Sequence, residues 1–458
     1  MNVLLTAFIA VAVVGSPDVL PCEGPSDCSA GDVCVAGTCR SGSGKSSVQE
    51  LYPVAVPPPT LLTADAHVKA VGTRLVEQIR RDLQWSGFYS VLASDSFPST
   101  HQVEGVSPSE VRRLLWQTSG AYRLVRVAVR PSPELGKVHV QVRLIDVEQY
   151  SSLSLGGGEI TVRAGQDRAI AAACVNELIA LDTGLAGVVG SRIATSLEVR
   201  SGVKEIGLIG ADGKGLTMLT SNNSLNLDPA WDGAGRVGYM SYREGNADWV
   251  VDGAVLSGRP GMNAAGAWSH DGKYLAVSVT EGANSDIVIL DGSTGTEHIR
   301  VTEHPGVDTS PTWSPDGKEL AFVSDRTGSP QIWIVTLASG NLRRLTQSGY
   351  TTAPDWSPNG HSLVYGQLTG VNFVIKRYDF DTGHTRTLTG SDVSSENATF
   401  SPDGRYVAFS RRERDKKPTL WLMNADGTKQ RQLTSSANPM FSPAWHRRAP
   451  SFKGSKTK

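Results

Sequence analysis

From about residue 190 the chain repeats itself, and the repeat narrows what it can fold into. A unit opens on an aromatic residue, turns, runs through two apolar strand-like segments, turns again and closes on Leu-Thr. First halves read PAWDGAGRVGYMS, GAWSHDGKYLAVS, PTWSPDGKELAFVS, PDWSPNGHSLVYG and ATFSPDGRYVAFS. Their aromatic positions are Trp231, Trp268, Trp313, Trp356 and Phe400, a lone PAW follows at Trp445, and neighbours lie 37 to 45 residues apart. Second halves read IGLIGADGKGLTMLT, IVILDGSTGTEHIRVT, IWIVTLASGNLRRLT, YDFDTGHTRTLT and LWLMNADGTKQRQLT, with a degenerate WVVDGAVLSGRPGMN at 249–263. Units of this length holding four short strands predict a β-propeller.

Counting the halves predicts how the ring closes. There are six second halves but only five complete first halves, plus the fragment at 441–446. The spare second half, 204–220, opens the region behind strand-like RIATSLEV, and the orphan PAW ends it. One composite blade, with one strand from the C-terminal end and three from 191–220, completes six blades over 190–447. Closure of this kind removes exposed sheet edges.

The acidic residues of WSPDGKELAFVSDR are tempting as ligands or catalysts. Asp316, however, has counterparts in Asp271 and Asp403, and the fourth unit carries Asn359 in the same place. An amide suits a turn and would weaken a ligand site, so Asp316 is read as a turn former and Asp325 as a blade-edge residue.

Ahead of the repeats, residues 48–188 read as an α/β domain. Val68, Val71, Leu75, Ile79 and Leu83 recur at helical spacing, and Ser107-Pro108 opens a second helix, SPSEVRRLLWQ. Segments 122–129 and 137–146 alternate as half-buried strands, Val138, Val140, Val142 and Leu144 marking one face. EITVRA and a helix over 168–181 complete a mixed sheet, expected to carry its helices on one face. Cys174 falls in that last helix as a small buried hydrophobe.

The N-terminus points to export. VLLTAFIAVAVV at 3–14 is too short to span a bilayer but fits a signal peptide over 1–16. Residues 17–47 form a Cys-rich segment and linker, with Cys22, Cys28, Cys34 and Cys39 among glycine, serine and proline. Two disulfides in an oxidising compartment would hold this piece, the three possible pairings staying open. Zinc is the rival reading, although the gaps of five, five and four residues exceed the usual spacing. Pro21 argues against lipid attachment at Cys22, and GSGKSS at 42–47 lacks the first glycine of a phosphate loop.

Net charge is −1 with no long single-sign block, so nucleic acid is not an expected partner. RRERDKKP at 411–418 mixes signs and reads as a solvated hairpin loop, and 448–458 as a short basic tail. No nucleophile elbow, no H-E-x-x-H and no repeated histidine–carboxylate spacing occurs. The expectation is a monomer with no catalytic residues, no metal and no cofactor.

The tandem W-S-P-D-G-x-x-L-A-F-x-S units, behind an α/β domain and an export signal, resemble the TolB family of the bacterial Tol–Pal system over about 50–450. The resemblance implies a periplasmic, non-enzymatic protein of the Gram-negative envelope. Its propeller would bind a Pal-like peptidoglycan-associated lipoprotein, and its N-terminal part would communicate with a TolA-like inner-membrane protein, supporting outer-membrane invagination at division and envelope integrity. The family's partner surface lies on loops just ahead of the W-S-P-D-G strands. Carried over, these are Met262, Asn263, Ala265, Asp308, Thr309, Ser310, Thr352, Ala353, Glu396 and Asn397. Met262 departs from the histidine expected there, and the four-cysteine segment departs from the family's short N-terminus. The competing expectations are a propeller enzyme, such as a polysaccharide lyase or glycosidase, and an envelope-binding propeller outside a Tol system.

Overall fold

A computed structural model of the chain describes residues 32–35, 38–41, 51–149, 151–163, 165–435 and 439–446. Strands β1 (Asp32–Val35) and β2 (Thr38–Ser41) pair as a hairpin whose register sets Cys34 opposite Cys39. Cys22, Cys28, the signal-like segment and the basic tail lie outside the described residues, and the disulfide pairing with them.

The α/β domain runs through β3 (Tyr52–Ala55), β4 (Thr60–Leu61), α1 (Ala66–Ser86), β5 (Tyr89–Val91), α2 (Arg113–Thr118), β6 (Arg123–Pro131), β7 (Lys137–Asp146), β8 (Ser152–Arg163) and α3 (Asp167–Thr183). The sheet order is β5-β3-β6-β7-β8, with β4 also on β6. Helix α1 starts where the Asp65 carboxylate accepts the N–H groups of His67 and Val68 and stops at Gly87, whose φ of 69° only glycine adopts cheaply. Its expected apolar stripe is buried with α3 against Val138, Val140, Val142 and Leu144.

The helices do not all share one face, as the sequence reading had it. Helix α2 and short 3-10 turns between 94 and 110 cover the other side, burying Phe97, Val111 and Trp116 against Leu124 and Ile145. The reason is the strand period: Leu124 and Ile145 point away from α1 and α3, and that second apolar surface needs its own cover. Arg126 is buried on this side, donating to the carbonyls of Gly105 and His101 and to the Thr60 hydroxyl at 3.0–3.1 Å. Paired donors of this kind make a buried guanidinium tolerable.

The propeller has six four-stranded blades. The inner strands of blades 1–5 are Asn226–Trp231, Asn263–Trp268, Asp308–Trp313, Thr351–Trp356 and Ser394–Phe400. Blade 6 is composite, as the count of halves predicts. It combines β9 (Arg192–Arg200), β10 (Val203–Gly210) and β11 (Thr217–Met218) with the closing strand Met440–Trp445, which pairs antiparallel to β9. Across the seam the Trp231 indole N–H donates to the Ala444 carbonyl at 2.9 Å, and Trp313 does the same to Ala267 between blades 2 and 3.

The repeated residues have repeated duties. The hydroxyls of Thr220, Thr302, Thr346, Thr389 and Thr434, the threonines that close five of the six second halves, accept the N–H groups of Ile206, Ile287, Ile332, Ile375 and Leu420 at 2.8–3.0 Å. Each satisfies a buried third-strand donor that the short fourth strand cannot reach. In the Pro-Asp-Gly turn, Ser314 donates to Asp316 at 2.7 Å and Lys318 N–H follows at 3.1 Å, holding the carboxyl below its ordinary range. Asp271, Asn359 and Asp403 accept from Ser269, Ser357 and Ser401 in the same way. Asp316 is a turn former.

The α/β domain docks on one end of the ring. The Tyr406 hydroxyl donates to the Ser86 carbonyl at 2.5 Å, and the Arg405 and Arg431 guanidiniums lie 3.8 and 5.4 Å over the rings of Phe88 and Trp85. Arg405 and Tyr406 adjoin the first turn of blade 5, so the domain covers the end where the Pro-Asp-Gly turns lie. Among the described residues, nothing covers the opposite end, where every inner strand begins.

Candidate partner-binding rim

Two sets of loops share the open end: those entering the inner strands and the hairpins joining second to third strands. Both are pinned. The Asn263 amide donates to the carbonyls of Arg259 and Gly261, and Ser257 donates back to it. The Val307 N–H is accepted by Asp325 at 2.8 Å. Asp325 therefore ties two rim loops together, a larger duty than a blade-edge residue. Gln331 and Gln367 donate to the carbonyls of Gly349 and Ser348 at 2.5 and 2.7 Å, and Asn372 to that of Ser391 at 3.0 Å. A surface held this way binds with little ordering cost.

Each inner strand also carries a bulge. Register shifts fall within all six, and Asp228, Ala265, Ser310, Ala353, Asn397 and Ser442 take φ between 45° and 54° there. A left-handed conformation costs a non-glycine residue about 1 kcal/mol or more, so the ring holds modest strain six times over.

The structure relocates most of the residues that the family pattern placed on loops. Only Met262 lies ahead of a strand, and it is exposed; Asn263, Ala265, Asp308, Thr309, Ser310, Thr352, Ala353, Glu396 and Asn397 lie within inner strands. The strands begin earlier than the aromatic motif implies because the bulge adds a residue before it. Asn263 and Asp308 are fully buried, the latter accepting two hydrogen bonds from Arg326 at 2.9–3.1 Å, and Glu396 accepts from Ser394 at 2.7 Å. Ala265, Ser310, Ala353 and Asn397 are the bulge residues. The structure thus unites these positions as the framework of the mouth. Sequence reasoning missed the pins Asp325, Gln331, Gln367 and Asn372, whose identities differ between repeats; alignment of the hairpins would show only a recurring polar position.

Among the described residues no cluster of three or more His, Cys, Asp or Glu could hold a metal, and no helix is long and apolar enough to cross a membrane. The arrangement offers a rigid, shaped surface. The molecule is a two-domain propeller protein, an α/β domain seated on one end of a six-bladed ring whose other end the described residues leave open.

Comparison with known proteins carries this further. The family described as the TolB β-propeller domain matches residues 181–449, and the TolB amino-terminal domain matches 45–153. The chain belongs to the TolB family. It is 33% identical over 258 residues to the Tol-Pal system protein TolB of Desulfosudis oleivorans, covering 55% of this chain and 57% of that one. To the protein of the same name from Anaeromyxobacter dehalogenans it is 30% identical over 237 residues, covering 49% and 52%. The chain thus spans about half the length of the curated relatives it matches. The crystal structure of TolB from Acinetobacter baumannii superposes with a TM-score of 0.71 at 24% identity, over 86% of this chain and 96% of that one, and shows the shared fold.

Proposed function

We propose that this chain is a binding scaffold of the Tol–Pal type, exported to the periplasm through segment 1–16. Its rim contacts a Pal-like peptidoglycan-associated lipoprotein, and its N-terminal part communicates with a TolA-like inner-membrane protein. Through these contacts it supports outer-membrane invagination at division and the integrity of the envelope. The Cys-rich segment 17–47, held by disulfides, belongs to the same reading as an extracytoplasmic module.

The observation that carries the proposal is the open rim. One end of the ring is occupied by the α/β domain, while the other is pinned by hydrogen bonds and, among the described residues, left uncovered. Family membership and the name of the relatives, Tol-Pal system protein TolB, support it. Binding, not catalysis, is the activity proposed, since the carboxylates of Asp308 and Asp325 are engaged in holding the rim together. Titration of the purified chain with the soluble domain of a Pal-class lipoprotein tests this. A one-to-one complex cross-linked through rim loops is expected, and no complex under gentle conditions would overturn it.

A further inference from the structure

The hairpin of β1 and β2 turns on only two residues, Ala36 and Gly37, and its register sets Val35 opposite Thr38 and Cys34 opposite Cys39. In a two-residue hairpin the pair flanking the turn, here Val35 and Thr38, exchanges both ladder hydrogen bonds. Pairs alternate along an antiparallel ladder, so Cys34 and Cys39 form the next, non-hydrogen-bonded pair. Opposed Cα atoms in such a pair lie about 4.5 Å apart, and both residues fall on one face of the hairpin. A disulfide takes Cα separations of about 4.4–6.8 Å. The backbone thus sets two of the cysteines of segment 17–47 at bridging distance.

Physical chemistry favours this pair over the crossed ones. Cysteines already opposed lose less conformational entropy on bonding than cysteines drawn together from separate stretches of chain. An isolated two-stranded hairpin is marginally stable in water, so a ladder this short gains from a covalent tie. Its first strand lies beside α3, so a fixed register there fixes a segment seated on the α/β domain. The fifth cysteine does not compete. Cys174 is fully buried in α3, and burial pushes its thiol well above the ordinary range, which leaves it inert in exchange.

We propose that Cys34 and Cys39 are joined by a disulfide across the hairpin, which leaves Cys22 and Cys28 to each other. Each thiol gives up its hydrogen and one S–S bond forms. The two electrons and two protons pass to a protein disulfide of the thiol-oxidase class, which becomes a dithiol. The ring so closed is short, and a short ring constrains the unfolded chain least, so the bond is an exchangeable staple on the hairpin rather than a support of either domain core. This rests on the reading of the chain as exported, since a reducing compartment would keep the thiols free.

The test is mass spectrometry of the full chain, expressed with its own N-terminus in a Gram-negative host and alkylated without reduction. Cleavage before aspartate separates Cys22 in 18–26, Cys28 in 27–31 and the pair Cys34 and Cys39 in 32–64. Peptide 32–64 is expected two hydrogens lighter than its dithiol form and joined to nothing, with 18–26 linked to 27–31. Peptide 32–64 joined to either of the others would overturn the inference and leave export standing. Cys34→Ser should free the thiol of Cys39 alone, and a thiol freed at Cys22 or Cys28 instead would overturn it too. Four alkylated thiols in periplasmic protein would also count against it. Retention of the chain in the cytoplasm would sink the export reading instead, and refolding the purified chain in a glutathione redox buffer would then decide the pairing by the same peptides.

Discussion

Asp316 sits where a metal ligand could have been imagined, and the chain uses it to close a turn. Its carboxyl, like that of Asp271, is held below the ordinary range first by a serine hydroxyl, Ser314 and Ser269 respectively, and then by a backbone N–H. Asp291, accepting from Ser293 and Thr294, is held at about 2. A carboxyl depressed by folding stabilises fully above its unfolded value of about 4 and loses that contribution as pH falls toward the folded value. Stability should therefore decline between about pH 4 and pH 2. Asp291→Asn should shrink the drop in melting temperature between neutral and acid buffer, and an unchanged drop would contradict this assignment. The turn role was legible because Asn359 stands in for aspartate in one repeat. The bulge residues were not, since Asp228, Ala265, Ser310, Ala353, Asn397 and Ser442 share a backbone conformation and no side chain. Asn tolerates that conformation and a β-branched residue does not. Ala353→Asn should thus be nearly neutral in urea unfolding, whereas Ala353→Val should cost about 1–3 kcal/mol.

Within a blade, the closing threonine is the element that the repeat shows most plainly and explains least without coordinates. Its hydroxyl accepts a third-strand N–H that has no ladder partner, as Thr346 does for Ile332 at 2.9 Å. Thr346→Val keeps the shape and orphans that donor, so it should cost about 1–3 kcal/mol, while Thr346→Ser should recover most of it. A valine variant as stable as the parent, with the serine variant weaker, would show that shape alone matters. In the α/β domain the alternation of Val138, Val140, Val142 and Leu144 was readable and led directly to the face under α1 and α3. The cover on the other face was misjudged. Its residues come from irregular 3-10 turns and a six-residue helix, which leave no periodic trace.

At the scale of the molecule, closure was countable from the sequence, because an orphan first strand and a spare second half can only complement each other. Removing residues 439–458 should leave the inner edge of β9 unpaired and cause aggregation on purification. A monomeric truncated chain with an unchanged melt would refute the composite blade. The side on which the α/β domain docks was not countable. It depends on single contacts, Tyr406 on Ser86 and Arg405 on Phe88, that no spacing announces. Yet that docking decides which end of the ring remains free, and the account turns on it. Hydrogen exchange of the intact chain, with and without a Pal-class lipoprotein domain, tests it most directly. Slowed exchange is predicted in the rim segments 258–262, 303–307, 347–350 and 369–372, with the Pro-Asp-Gly turns at the docked end unchanged. Protection of those turns, or of the outer strands, with the rim unaffected would contradict the account.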